Sequence, residues 1–139
     1  MKVILKGDTG SLKIDIIKRE NASTNDFWDA NWIEANIEIG VFGFSGKYEA
    51  SFRVDDLYRF YNELVKLTKL EKTSAEFTTL ENGLFFKCDA NRRGAVTCTG
   101  KAISRDNILE FTIDTDLPSL ALFERDLKLT LEKYPLKGK

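Results

Sequence analysis

The stretch Ile33-Glu34-Ala35-Asn36-Ile37-Glu38-Ile39 decides the fold class. Apolar and polar residues alternate with a period of two, the signature of an extended strand with one buried face. A helix would instead space its apolar residues by three and four. Working outward, Leu12, Ile14 and Ile16 alternate with Lys13 and Asp15 in the same way. The turn residues Gly7-Asp8-Thr9-Gly10 separate them from a short strand at Ile4 and Leu5. Downstream, Gly40, Gly43 and Gly46 interrupt the pattern, and Tyr48, Ala50, Phe52 and Val54 resume it. The span 32–54 is therefore predicted to form a hairpin.

A helix follows. Leu57, Phe60, Tyr61, Leu64, Val65 and Thr68 share one helical face, and Asp55 or Asp56 is the expected cap. Strands return over 74–80, 84–91, 94–102 and 108–114. A second helix starts near Pro118, which suits a first turn, and runs to Lys133 with Leu120, Phe123, Leu127 and Leu131 as its stripe. Pro135 stops it, and the last five residues are expected to fray. Short links favour antiparallel pairing. The expectation is a single α+β domain over 1–139: a mostly antiparallel curved sheet with two α-helices, at about 55–70 and 118–133. No internal repeat is visible.

Composition narrows the function. The 139 residues are 42% hydrophobic, too apolar for a disordered chain. Met1 to Gly7 has only three consecutive apolar residues, so no signal peptide is read there, and no apolar run is long enough for a membrane span. A cytoplasmic protein without a membrane partner is expected. Lysine and arginine total 21 against 22 acids, which argues against direct nucleic-acid binding. Histidine is absent, which removes the usual general base and the commonest metal ligand. No catalytic residue, metal site or cofactor is expected.

Two cysteines draw attention. Asn91-Arg92-Arg93-Gly94 reads as a turn followed by a glycine in the left-handed region. That register pairs residue 91 with 95 and so sets Cys88 opposite Cys98. The expectation is two buried, reduced thiols; a cross-strand disulfide is the alternative. Two cysteines without histidine supply only half a zinc site. Arg92-Arg93 reads as a soluble hairpin tip, and the glycine-rich span 40–46 lacks the lysine and spacing of a phosphate loop.

Charge is segregated along the chain. From Glu20 to Gly46 the acids Glu20, Asp26, Asp29, Glu34 and Glu38 occur with no lysine or arginine. Aromatic residues sit among them, most densely in Asp26-Phe27-Trp28-Asp29-Ala30-Asn31-Trp32. A second acidic zone covers 106–126, and lysines gather at 128, 133, 137 and 139. Aromatic anchors beside carboxylates have the composition of a binding surface for a basic partner. The candidate partner-binding residues are Asp26, Phe27, Trp28, Asp29, Asn31, Trp32, Glu34 and Glu38, with Glu34, Asn36 and Glu38 in one row. The tryptophans can also be core residues, and Asp29 and Asn31 can serve the turn. Two competing readings stand beside this one. The first is a small-ligand-binding β-rich module with an apolar cavity lined by some of the ten phenylalanines. The second is an enzyme acting through carboxylates alone, such as Asp26 and Asp29.

The segments Trp28-Asp29-Ala30-Asn31-Trp32-Ile33, Gly43-Phe44-Ser45-Gly46-Lys47-Tyr48-Glu49-Ala50 and Asp56-Leu57-Tyr58-Arg59-Phe60 together resemble the WapI-type bacterial immunity proteins. Arg93-Gly94-Ala95-Val96-Thr97-Cys98-Thr99-Gly100 and Asp116-Leu117-Pro118-Ser119-Leu120-Ala121-Leu122-Phe123 continue the pattern in order. The resemblance implies a cytoplasmic protein of a contact-dependent or polymorphic toxin system. It would bind and neutralise a cognate toxin domain, typically a nuclease, with no activity or cofactor of its own. Asp26, Asp29, Glu34 and Glu38 would pair with a basic toxin surface, and Phe27 and a tryptophan would anchor. The protein would itself be a monomer or weak homodimer.

Overall fold

The computed structural model describes residues 1–81 and 83–138. Four strands come first: β1 (Lys2–Lys6), β2 (Gly10–Arg19), β3 (Trp32–Val41) and β4 (Phe44–Arg53), with a one-turn helix α1 (Phe27–Ala30) between β2 and β3. Helix α2 (Val54–Thr68) follows directly. Strands β5 (Ser74–Phe77), β6 (Leu84–Ala90), β7 (Ala95–Ser104) and β8 (Asn107–Asp116) lead into α3 (Leu117–Lys133). The strands form two four-stranded antiparallel sheets, ordered β1-β2-β3-β4 and β5-β6-β7-β8. The α+β class holds, with the strands divided between two sheets.

The alternation in β3 does what its period demands. Ile33, Ala35, Ile37 and Ile39 are buried, while Glu34, Asn36 and Glu38 lie on the outer face. The hairpin at 32–54 also forms. Its turn is Phe42-Gly43, where Gly43 takes φ +82°, a conformation that costs glycine no Cβ clash. Gly40 and Gly46 lie inside the strands.

The cap of α2 differs from expectation. Strand β4 runs into the helix without a loop, so Arg53 is the N-cap residue and Val54 the first helical one. Asp56 stands at the third helical position and accepts the Arg53 backbone N–H at 3.0 Å. A carboxylate there satisfies the free amide by reaching back. Asp116 caps α3 by accepting from Ser119 N–H at 2.8 Å, a bond that lowers its pKa.

The two halves repeat. Strands β3 and β7, β4 and β8, and helices α2 and α3 begin at 32 and 95, 44 and 107, and 54 and 117, a constant offset of 63. Leu57, Phe60 and Leu64 thus correspond to Leu120, Phe123 and Leu127, all buried. Each helix packs against the first strand of the opposite half, α2 on β5 and α3 on β1, and the helices touch each other. This exchange joins both sheets into one core, which includes Phe52, Phe60, Phe77, Phe86 and Phe123. The repeat escapes a sequence search because burial constrains polarity, not identity: Ile37 corresponds to Gly100 and Ile39 to Ala102.

The cysteine register is as expected. Cys88 pairs with Cys98, and Asn91 N–H donates to Ala95 O at 2.9 Å across the turn. Both are free, fully buried thiols, with Cys98 Sγ donating to Cys88 Sγ at 2.7 Å. The neighbouring sulfur and burial raise the Cys88 pKa well above its ordinary value, so its reactive thiolate is suppressed. A thiol reagent is expected to read two thiols per chain in denaturant and almost none in the native protein. Loss of both signals in denaturant, with thiols returning on reduction, would show a disulfide instead.

Candidate protein-interaction site

Trp32 and Arg53 are cross-strand partners at the open end of the β3–β4 hairpin. Chain segment 26–31 folds over this pair and buries Arg53 to 1% exposure. A buried guanidinium needs partners for its donors. Arg53 Nε donates to Asp55 Oδ1 at 2.9 Å, Nη2 to Phe27 O at 3.1 Å, and Nη1 to Trp28 O. Its carbon Cζ lies 4.3 Å from the Trp28 ring centroid, 5.1 Å from Phe27 and 5.5 Å from Trp32. Three π faces thus surround one cation. Trp28 meets Trp32 edge to face at 5.8 Å.

The turn is fixed from behind as well. Asp26 caps α1 by accepting from Asp29 N–H at 3.1 Å. Asn31 is fully buried. Its Nδ2 donates to Phe27 O at 2.8 Å and Lys137 O at 2.9 Å, and its Oδ1 accepts Lys137 N–H at 3.0 Å. Arg19 donates to Ala30 O at 2.8 Å and to Pro135 O. Burial lowers the Arg19 pKa. Residues 135–138 therefore run along this turn. The expected fraying is corrected for residues 135–138, because backbone groups of Pro135 and Lys137 are hydrogen-bonded to Arg19 and Asn31; Lys139 lies outside the described residues.

The candidates thus separate into three groups. Asp26, Phe27, Trp28 and Asp29 are exposed together on one turn, with Trp28 52% and Phe27 36% exposed. Trp32 and Asn31 lie beneath them, and every polar atom of the Asn31 side chain is used internally. Glu34 and Glu38 lie on the outer face of the first sheet, and both have lysine partners. Glu38 binds Lys13 at 2.7 Å and Lys47 at 3.5 Å, and Glu34 is 3.9 Å from Lys18. The Lys13 hydrogen bond lowers the Glu38 pKa. The acidic stretch is therefore neutralised on this face by lysines from the neighbouring strands.

Arg53 is the residue that sequence reasoning missed. It was readable only through the hairpin register, which sets it opposite Trp32, and through Asp55 two positions on. Asp56, beside it, has its pKa raised by burial, opposed by the Arg53 N–H and by Arg59.

A separate open trough of about 1250 Å³ lies on the outer face of the second sheet, lined by residues including Phe85, Lys101, Ile103 and Ile108. Among the described residues there is no cluster of His, Cys, Asp or Glu able to hold a metal ion, and no helix is long and apolar enough to cross a membrane.

No curated protein matches the sequence. Two solved structures share the fold. One is MRP1/MRP2 of Trypanosoma brucei, with TM-score 0.53, 9% identity, and coverage of 96% of this chain and 83% of that one. The other is a guide-RNA-binding protein complex bound to a guide RNA, with TM-score 0.51, 9% identity, and coverage of 88% and 79%. At that identity the likeness concerns fold alone. Residues 3–135, nearly the whole chain, match the immunity protein WapI-like family. The chain belongs to the WapI-like immunity protein family.

Proposed function

We propose that this immunity protein binds a cognate toxin domain through the exposed turn Asp26–Asp29 and neutralises it by direct contact. One observation carries the reading: Trp28 and Phe27 stay exposed while their backbone carbonyls are locked by buried Arg53. An apolar surface held rigid before binding loses little entropy on docking, which suits a hot spot. Asp26 and Asp29 rim these rings and favour a basic partner. A nuclease toxin fits, because its substrate surface must attract phosphates. The immunity protein acts in the cytoplasm, without catalysis, and contacts neither nucleic acid nor membrane.

Glu34 and Glu38 play a smaller part in this proposal, since their lysine partners cancel much of their field. Asn31 and Trp32 position the turn.

The test is binding to the proposed cognate toxin domain, which is to be sought in the neighbouring reading frame. Trp28→Ala is expected to weaken the complex by about 2 kcal/mol, roughly thirtyfold. Charge reversal at Asp26 and Asp29 is expected to slow association and reduce its salt dependence. Reversal at Glu34 and Glu38 should do less. Unchanged affinity in the Trp28 variant would move the contact surface elsewhere. Failure of the wild-type chain to restore growth when co-expressed with that domain would reject the toxin pairing.

A further inference from the structure

We infer that the outer edge of β4 is a self-pairing surface, on which a second copy of this chain docks to continue the first sheet. Each of the other three sheet edges takes at least one backbone hydrogen bond from another element. Asp126 Oδ2 accepts Ile4 N–H of β1 at 3.2 Å, and Glu63 Oε1 accepts Glu76 N–H of β5 at 3.4 Å. The β1–β2 turn covers the C-terminal end of β8, where Asp8 N–H donates to Asp114 O at 2.8 Å and Asp114 N–H donates to Thr9 Oγ1 at 2.8 Å; the rest of that edge, over 108–112, is open but sets Glu110 against Glu110 in a pairing centred on it. Among the described residues, nothing hydrogen-bonds the backbone of β4 across its outer edge between Ser45 and Ser51. An open edge is a template for another strand.

The hairpin turn determines which groups that edge offers. Val41 and Phe44 flank the two-residue turn and pair with each other. Such a closing pair exchanges both of its hydrogen bonds, and the pattern then alternates. Residues 44, 46, 48, 50 and 52 therefore bond to β3. Ser45, Lys47, Glu49 and Ser51 direct their N–H and C=O groups outward.

The sequence along this edge is symmetric about Tyr48: Phe44-Ser45-Gly46-Lys47-Tyr48-Glu49-Ala50-Ser51-Phe52. Phenylalanine mirrors phenylalanine, serine mirrors serine, glycine mirrors alanine, and lysine mirrors glutamate. Two copies paired antiparallel about Tyr48 set Lys47 opposite Glu49 of the second copy, twice. Ser45 then faces Ser51 of the second copy, also twice. All four are residues whose backbone groups point outward, so this register satisfies the edge. Shifting the register by two residues either way sets Lys47 against Lys47, or Glu49 against Glu49. Like charges directly opposite one another destabilise a strand pair. Charge therefore selects the same register as the backbone.

Two further observations agree. Lys47 and Glu49 are exposed, and Glu38 keeps its 2.7 Å bond to Lys13 when Lys47 turns to the second copy. Phe44 is 66% exposed beyond the core, and the dimer register lays it beside Phe52 of the second copy. The fold does not demand an apolar side chain there, because the equivalent residue of the second repeat is Asn107.

The experiment is sedimentation velocity on the full 15.8 kDa chain over a concentration series. The expected result is a mass rising from one copy to two. Lys47→Glu and Glu49→Lys should each weaken dimerisation roughly tenfold or more. The double variant should restore it, as should mixing the two single variants, since each pairing then joins an acid to a base. Circular dichroism checks that these exposed substitutions leave the fold intact. A monomer at every concentration up to the solubility limit overturns the inference. So do folded single variants that dimerise like the wild type, or a double variant that fails to recover.

Discussion

Replacing Phe60 with alanine is expected to cost about 3–5 kcal/mol of folding stability. Phe60 is 1% exposed and sits where the two repeats meet. Its ring contacts Phe86 at 5.0 Å, Phe77 at 5.9 Å and Phe123 at 5.9 Å between centroids, each edge to face. Two of those partners belong to the second sheet and the third to α3. The substitution removes transfer energy and leaves a cavity that these strands and helices cannot close without parting. Domains of this size hold about 5–15 kcal/mol in total, so the variant approaches global unfolding. Urea denaturation is the measurement: the midpoint should fall with an unchanged slope. A loss below about 1 kcal/mol would mean the ring cluster repacks freely.

Replacing Arg53 with methionine is expected to cost about 2–3 kcal/mol and to disorder the turn it holds. Methionine keeps the unbranched stem but leaves the Trp28 carbonyl without its donor and the Phe27 carbonyl with Asn31 Nδ2 alone. The 26–30 backbone should then exchange its amide hydrogens faster, and Trp28 emission should shift toward that of free tryptophan. Asp55→Asn provides the comparison. Asp55 is 30% exposed, so water replaces much of what its carboxylate gives, and about 1 kcal/mol is expected. Arg53→Lys should recover little, because an ammonium cannot bridge a carboxylate and two carbonyls in one plane. An Arg53→Met variant with native stability and native Trp28 emission would remove the basis for a preformed binding turn.

Much of this was legible locally. The alternation at 33–39 placed the right side chains inward, and the Asn91–Gly94 turn brought Cys88 opposite Cys98. Both signals arise within a few residues, through side-chain period and turn chemistry. Helix α2 was placed by its apolar face, while its cap was displaced because the strand enters it without a loop. The exposed part of the candidate site, Asp26 to Asp29, was also visible as a local composition. Its foundation was not visible, since Arg53 lies over twenty residues away along the chain.

Strand period, turn residues and motif order are properties of neighbours along the chain, and they were enough for the α+β class, the Cys88–Cys98 register and the family. The tertiary structure decided which charges are free. The acidic run from Glu20 to Gly46 looked uniform, yet cross-strand lysines neutralise Glu34 and Glu38 and leave Asp26 and Asp29 exposed. It also buried Arg53 under two aromatic rings that remain partly exposed, and tied Lys137 to Asn31 and Pro135 to Arg19. Each outcome depends on partners brought together by sheet pairing and helix exchange. Electrostatic and hydrogen-bond energies fall off over ångströms in space, and sequence separation does not enter them.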